Sequence, residues 1–266
     1  VEESPNGIPL LMGRDVIHGF KTVLPIPLGQ AATWNPELVR RGARVAALEA
    51  ASTGVNWSFA PMIDVTRDPR WGRIAESFGE DPLLHSVFGV AMIEGFQGEH
   101  LSDHGSIAAC AKHFAGYGAV ESGRDYATTN VSEYELRNYY LRPFKAAVDA
   151  GVATVMNSFN EIGGVPTNGS AHLQREILKG EWGFEGFIVS DWQSITMMIE
   201  HGFAADSASL STLDPLLPQD RQILKIDLPG HGRSRWPGGR TLDQWADAVR
   251  EAVPPGAVWV AWSLGV

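Results

Sequence analysis

One cysteine, Cys110, in 266 residues excludes an intrachain disulfide and any metal site built from cysteines. There is no HExxH motif and no glycine-rich phosphate loop, so neither a metal nor a nucleotide cofactor is expected. Basic residues are in the minority, 21 Lys and Arg against 31 Asp and Glu, for a formal net charge of -10. Nothing in that balance would neutralise phosphates over a continuous surface, which excludes a nucleic-acid partner. No apolar run approaches the roughly 20 residues needed to cross a bilayer, so no membrane partner is expected. The chain opens on Val1-Glu2-Glu3 with neither a start methionine nor a signal peptide; the expectation is that the natural N-terminus lies upstream.

What is present is a hydrophobic content of 44%, enough for one large domain or two modest ones. The charge divides unevenly. Residues 208–266 carry six Lys/Arg and six Asp/Glu, so all of the negative excess lies in 1–207. The same tail holds four of the nine tryptophans: Trp236, Trp245, Trp259 and Trp262. A Ser/Pro-rich stretch, SASLSTLDPLLP (207–218), has linker character, and a boundary near Ser207 separates a segment 1–207 from a segment 208–266.

Residues 1–207 alternate two textures. Apolar, β-rich runs stand at 8–16, 55–64, 106–114, 152–160 and 184–192. Helix-patterned segments stand at 36–54, 82–98, 132–151, 171–183 and 194–202. Asn35-Pro36 reads as an N-cap followed by proline at the first helical position, and Ser132-x-x-Glu135 as a capping box. Gly54, Gly151 and Gly183 sit where helices should stop. Strands separated by crossover helices make a parallel sheet. Five such units without a phosphate loop favour an α/β fold of the incomplete (β/α)8, TIM-type barrel kind over a dinucleotide fold.

In such a barrel the chemistry gathers at the C-terminal ends of the strands. Each apolar run here ends in polar residues: Arg14-Asp15, Asp64, Lys112-His113, Asn157 to Asn160, and Asp191 in VSDW. Each also has a plainer reading. Asp191 suits a helix N-cap, Asp15 a turn cap, and Lys112-His113 a structural pair. Arg73 in DPRWGR and Arg124 in ESGRDY suit surface ion pairs. Their joint position on one barrel face is the stronger signal. Lys112 and a polarised His113 facing Asp191 are expected to hold that carboxylate ionised, as a nucleophile requires. Asp15, Arg73, Lys112 and His113 offer donors and acceptors for vicinal hydroxyls. Trp192 offers a flat apolar face for a pyranose ring.

LLMGRDVIHGFKTVLPIPLGQAATWNPEL (10–38), DVTRDPRWGRIAESFGEDP (64–82), CAKHFAGYGAVESGRDY (110–126), VMNSFNEIGGVPTNG (155–169) and GFIVSDW (186–192) resemble glycoside hydrolase family 3, in its bacterial periplasmic β-glucosidase type. The likeness spans about residues 4–206. It implies a retaining mechanism on β-glucosides or oligosaccharides, without a cofactor, in a periplasmic or secreted enzyme. Asp191 falls on the nucleophile. Asp15, Arg73, Lys112, His113 and Arg124 fall on residues that bind the terminal glucose, and Trp192 on the aromatic wall beside it. Phe159 stands where many members carry an aromatic hydroxyl. A retaining glycosidase also needs a second carboxyl group about 5–5.5 Å from the first. In this family it comes from a C-terminal domain that these 266 residues are expected to lack, which makes a non-catalytic glucose-binding segment the alternative.

Residues 208–266 read differently. ILKIDLPGHGRSRWPGG (223–239), a helix-like LDQWADAVREAV (242–253) and AVWVAWSLGV (257–266) resemble the N-terminal part of an α/β-hydrolase sheet, of the pimeloyl-carrier-protein methyl esterase type. Ala261-Trp262-Ser263-Leu264-Gly265 approximates the G-x-S-x-G elbow, with Ala261 in place of the first glycine. No Asp and His of a triad follow, so Ser263 is expected to be inert and a carboxylesterase is the least favoured alternative.

Overall fold

The computed structural model describes residues 10–195 and Met198. The boundary near Ser207, the Ser263 elbow, the whole α/β-hydrolase likeness and most of the helix expected at 194–202 lie outside the described residues.

Among the described residues seven short strands are formed, in chain order β1 (Gly13–Arg14), β2 (Trp57–Ser58), β3 (Cys110–Phe114), β4 (Thr154–Asn157), β5 (Glu161–Ile162), β6 (Val165–Pro166) and β7 (Phe187–Val189). β1 runs parallel to β2, β3 to β4 and β4 to β7. Isolated parallel bridges, Trp57 to Ala108 and Met62 to Lys112, join the second strand segment to the third. The strand order is therefore β1-β2-β3-β4-β7, sequential and parallel, as the alternation of textures predicts for part of a barrel. β5 and β6 form an antiparallel hairpin around Gly163-Gly164, which periodicity alone did not predict.

The ladders are shorter than the apolar runs. Between β2 and β3 the backbone bonds Ser58 N to Ala108 O (2.8 Å), Cys110 N to Ala60 O (2.8 Å) and Ile63 N to Lys112 O (2.8 Å) continue past the regular strands. The apolar pattern reports burial, and burial extends further than uninterrupted pairing does.

Helices cross between the strands: α1 (Pro27–Ala31) and α2 (Pro36–Ala51) between β1 and β2, and α3 (Pro82–Gln97) between β2 and β3. A composite of α4 (Glu133–Glu135), a π turn (Leu136–Tyr140) and α5 (Arg142–Asp149) joins β3 to β4. A π-helical segment, His172–Glu181, leads towards β7. The caps form as predicted in part. Asn35 accepts a bond from Leu38 N at 3.1 Å with Pro36 at the first position. Ser132 accepts one from Glu135 N at 3.1 Å, but the Glu135 carboxylate turns instead to Arg67 at 2.6 Å. The box is half closed. Gly54, Gly151 and Gly183 take positive φ where the chain leaves its helices.

The core lies between the helices and the sheet. α2 buries Val39, Ala43, Ala46, Ala47 and Ala50, and these small side chains let α3 approach with Phe88, Met92, Ile93 and Phe96. Each of the larger apolar side chains buried there stabilises the fold by about 1.5–3 kcal/mol. All five residues of β3 and all four of β4 are buried, including Lys112, His113 and Asn157. That polar content gathers at one end of the strands.

Candidate active site

Successive side chains of a strand point to opposite faces, so Lys112 and His113 cannot both serve one site from a regular strand. The register between β3 and β4 solves this. Lys112 pairs with Met156 and Phe114 with Asn157, so that His113 is passed over in the ladder. An irregularity of this kind re-aims side chains next to functional sites.

Lys112 is buried and reaches Asp15 at the end of β1, Nζ to Oδ1 at 2.9 Å, while the Asp15 side chain stays 68% exposed. His113 is fully buried and touches two carboxylates. Its Nδ1 lies 2.8 Å from Asp64 Oδ2, the oxygen that also accepts the His113 backbone N–H at 2.9 Å. Its Nε2 lies 3.2 Å from Asp191 Oδ2, close enough for an ion-pair contact but not aligned as a hydrogen bond. Thus the ends of β1, β3 and β7 and the segment after β2 meet at one place. Asp191 is mostly buried, with its side chain 15% exposed. Its Oδ1 accepts the neighbouring Trp192 N–H at 2.6 Å.

Arg73 makes the ion pair its plainer reading predicts, holding Glu76 through Nε at 2.7 Å and Nη2 at 3.0 Å. It also lies over the Tyr117 ring, 5.6 Å from the centroid. Tyr117 donates to Asp125 Oδ1 at 2.5 Å, and Trp71 Nε1 donates to the same oxygen at 2.9 Å. Close backbone contact fixes this loop: a Cβ on Gly118 would lie 2.1 Å from Val65 O. Phe159 packs edge-on to Tyr126 (centroids 4.9 Å apart) and against Tyr117 (5.7 Å), so it belongs to an aromatic wall. Trp192 is 79% exposed at the rim. Arg124, next to Asp125, is exposed and makes no side-chain hydrogen bond or ion pair among the described residues.

The electrostatics set burial against charge. Burial raises the Asp191 carboxyl above its usual value, while the Trp192 N–H and the charges of Lys112 and Arg73 act against that rise without cancelling it. His113 does not supply a fixed positive charge. Burial, with Arg73 and Lys112 nearby, takes it well below the usual imidazole range. Asp64 is pushed by burial up to about 8, against the His113 backbone bond and the same two cations. Burial also disfavours the Arg73 charge, but Glu76 more than offsets this and keeps the guanidinium raised. The cations at Asp191 are therefore Lys112 and Arg73.

Two partners were missed from the sequence. Asp64 appeared only as a polar strand end, although it carries the same mark as Asp191, an ionisable group closing an apolar run. Glu76, the partner of Arg73, sits one turn along GRIAE and could have been read as an i, i+3 pair.

The Glycosyl hydrolase family 3 N terminal domain matches residues 1–215. The chain belongs to glycosyl hydrolase family 3. Among members of the family, it is 47% identical to the periplasmic beta-glucosidase of Salmonella typhimurium over 75% of this chain and 26% of that protein. It is 40% identical to a beta-xylosidase of Formosa agariphila over 76% of this chain and 30% of that protein. Among solved structures of the family, a mutant beta-glucosidase from Listeria innocua in complex with laminaribiose superposes with a TM-score of 0.75 at 44% identity. That likeness covers 78% of this chain and 29% of the other. The chain thus spans about a quarter to a third of the length of these relatives. Among the described residues no group of three or more His, Cys, Asp or Glu is placed to hold a metal, and no helix is long and apolar enough to cross a membrane.

Proposed function

We propose that the family segment carries the nucleophile and the glucose-binding wall of a retaining β-glucosidase. Asp191 attacks the anomeric carbon of a terminal β-glucosyl residue and forms a covalent glycosyl-enzyme. Asp15, Arg73, Lys112, His113 and Arg124 hold the sugar hydroxyls, Trp192 lines the rim, and Phe159 is part of the wall behind it. The reading rests on one observation above the others: the Asp191 carboxylate meets His113 at 3.2 Å within reach of the Lys112 and Arg73 charges. Substrates are β-glucosides and oligosaccharides, and the location is periplasmic or secreted, by likeness to the Salmonella protein. The boundary near Ser207 separates this segment from the tail with its α/β-hydrolase likeness; the family match itself ends at residue 215.

A second reading is a glucose-binding segment without turnover. An activated aryl β-glucoside separates the two, because its leaving group needs little protonation. Slow release of the phenol, lost by roughly a thousandfold or more in Asp191→Ala, supports the enzyme. Binding with no release above background supports the binding segment. A fluorophosphonate is expected to leave Ser263 unlabelled, and labelling there would favour the esterase.

A further inference from the structure

Among the described residues, Asp64 is the one fully buried carboxyl group that the proposed chemistry does not use. We propose that Asp64 is a positioning residue that sets which nitrogen of His113 carries a proton towards Asp191.

The geometry restricts the choices. Both contacts from Asp64 to His113 fall on one atom, Oδ2, which meets the backbone N–H at 2.9 Å and Nδ1 at 2.8 Å. A backbone N–H only donates, so an oxygen must stand at that position. Either Nδ1–H donates to a carboxylate, or a protonated Oδ2 donates to Nδ1. With two protons on the pair, both forms leave a proton on Nε2. With one proton, it sits on Nδ1 and Nε2 is bare, 3.2 Å from Asp191 Oδ2. Proton count on the pair therefore decides whether the nucleophile faces a donor or a lone pair.

The surroundings select the two-proton form at neutral pH. Asp64 Oδ1 is buried without a hydrogen-bond partner, and His113 is the only ion-pair contact Asp64 makes among the described residues. A lone buried carboxylate is costly, and burial pushes Asp64 up to about 8. The charged groups facing the pair are Arg73 and Lys112 on one side, with Glu76 opposing them at Asp64. Asp191 is faced by Lys112, Arg73 and Asp15. Because Asp64 and His113 share protons, they titrate as a unit. Below about 8 the unit presents Nε2–H to Asp191 and favours its ionised form, acting against the burial that raises it. Above that value the second proton leaves to solvent and the donor is lost.

The significance for catalysis rests on the glucosidase reading, whereas the proton placement is measured without turnover. The full chain, with 15N-labelled histidine, is titrated by NMR, the His113 signals being identified by their loss in His113→Gln. In the wild type Nε2 is expected in the protonated range at neutral pH and to move to the unprotonated range near pH 8. In Asp64→Asn the amide oxygen must replace Oδ2 to accept the backbone N–H, so it also accepts Nδ1–H. Nε2 is then expected bare across the whole range. A bare Nε2 in the neutral wild type, or one still protonated in Asp64→Asn, overturns the proposal. Should Asp64→Asn not fold, the wild-type titration decides alone: loss of the Nε2 proton near 8 supports the assignment, and its absence at neutral pH or persistence far above 8 refutes it. Failure of a sugar to label Asp191 would count against the glucosidase reading and leave this proton placement standing.

Discussion

The helices behind the sheet and the strand ends in front of it draw on different ranges of the chain. α2 starts because Asn35, three residues from Leu38, accepts its N–H and because Pro36 suits the first turn. α3 starts because Asp81 accepts from Leu83 N and Leu84 N. Each such device lies within one turn. At the rim, Asp15, Asp64, His113 and Asp191 come from four separate strand segments, and no pair of them is close in sequence. The helical layer follows local rules, and the rim exists only once the parallel strands are side by side.

Perturbations should separate the two regions accordingly. The largest structural effect is expected in the helical core. Phe88, 1% exposed between α3 and its neighbours, should cost about 3–5 kcal/mol of unfolding free energy as Phe88→Ala. Denaturant titration measures this, and a loss below about 1 kcal/mol would show that the packing of α3 matters less than its burial indicates.

The next effect tests the link between the layers. His85 of α3 is fully buried, with Nε2 2.9 Å from Gly79 O and 3.2 Å from Ser77 Oγ. Ser77 in turn meets Thr66, two residues beyond Asp64. Burial lowers His85 from 6.5 to about 4. A base lowered on folding stabilises the protein fully above its unfolded value, and that contribution is lost as pH falls towards the folded value. The stability of the wild type relative to His85→Gln should therefore shrink by about 3 kcal/mol between pH 6.5 and 4. A difference that stays flat with pH would contradict it. The comparison must be made between the two proteins, because Asp64 works in the opposite sense: a carboxyl raised on folding loses stability as pH rises from about 4 to about 8.

The smallest effect sharpens the local side. Asn35→Ala removes one cap and should cost about 1 kcal/mol. Thermal unfolding of the variant measures it, with no change expected in sugar binding.

The same division explains what could be read in advance. The helices at 36–51 and 82–97, the caps at Asn35 and Ser132 and the parallel order were legible because they rest on period, proline, glycine and capping chemistry. The meeting of His113 with Asp191 followed from placing strand ends on one face, whereas the pairing of Lys112 with Asp15 was not read from the sequence. The partner of His113 was not legible, because Asp64 and Asp191 look alike in sequence and only the fold sends one to Nδ1 and the other to Nε2. Counting cations also leaves out desolvation, which here outweighs Lys112 and Arg73 and raises Asp191. The hairpin of β5 and β6 escaped because its strands are two residues each, too short to show a period.

The central claim, that the carboxylate closing β7 bonds to a sugar's anomeric carbon, is tested most directly by trapping. A 2-deoxy-2-fluoro-β-glucoside with an activated leaving group is incubated with the protein, which is then digested and mapped by mass spectrometry. The added fluoroglucosyl mass is expected on the peptide containing Asp191, and to be absent from Asp191→Ala. Attachment to any other carboxylate would contradict the account.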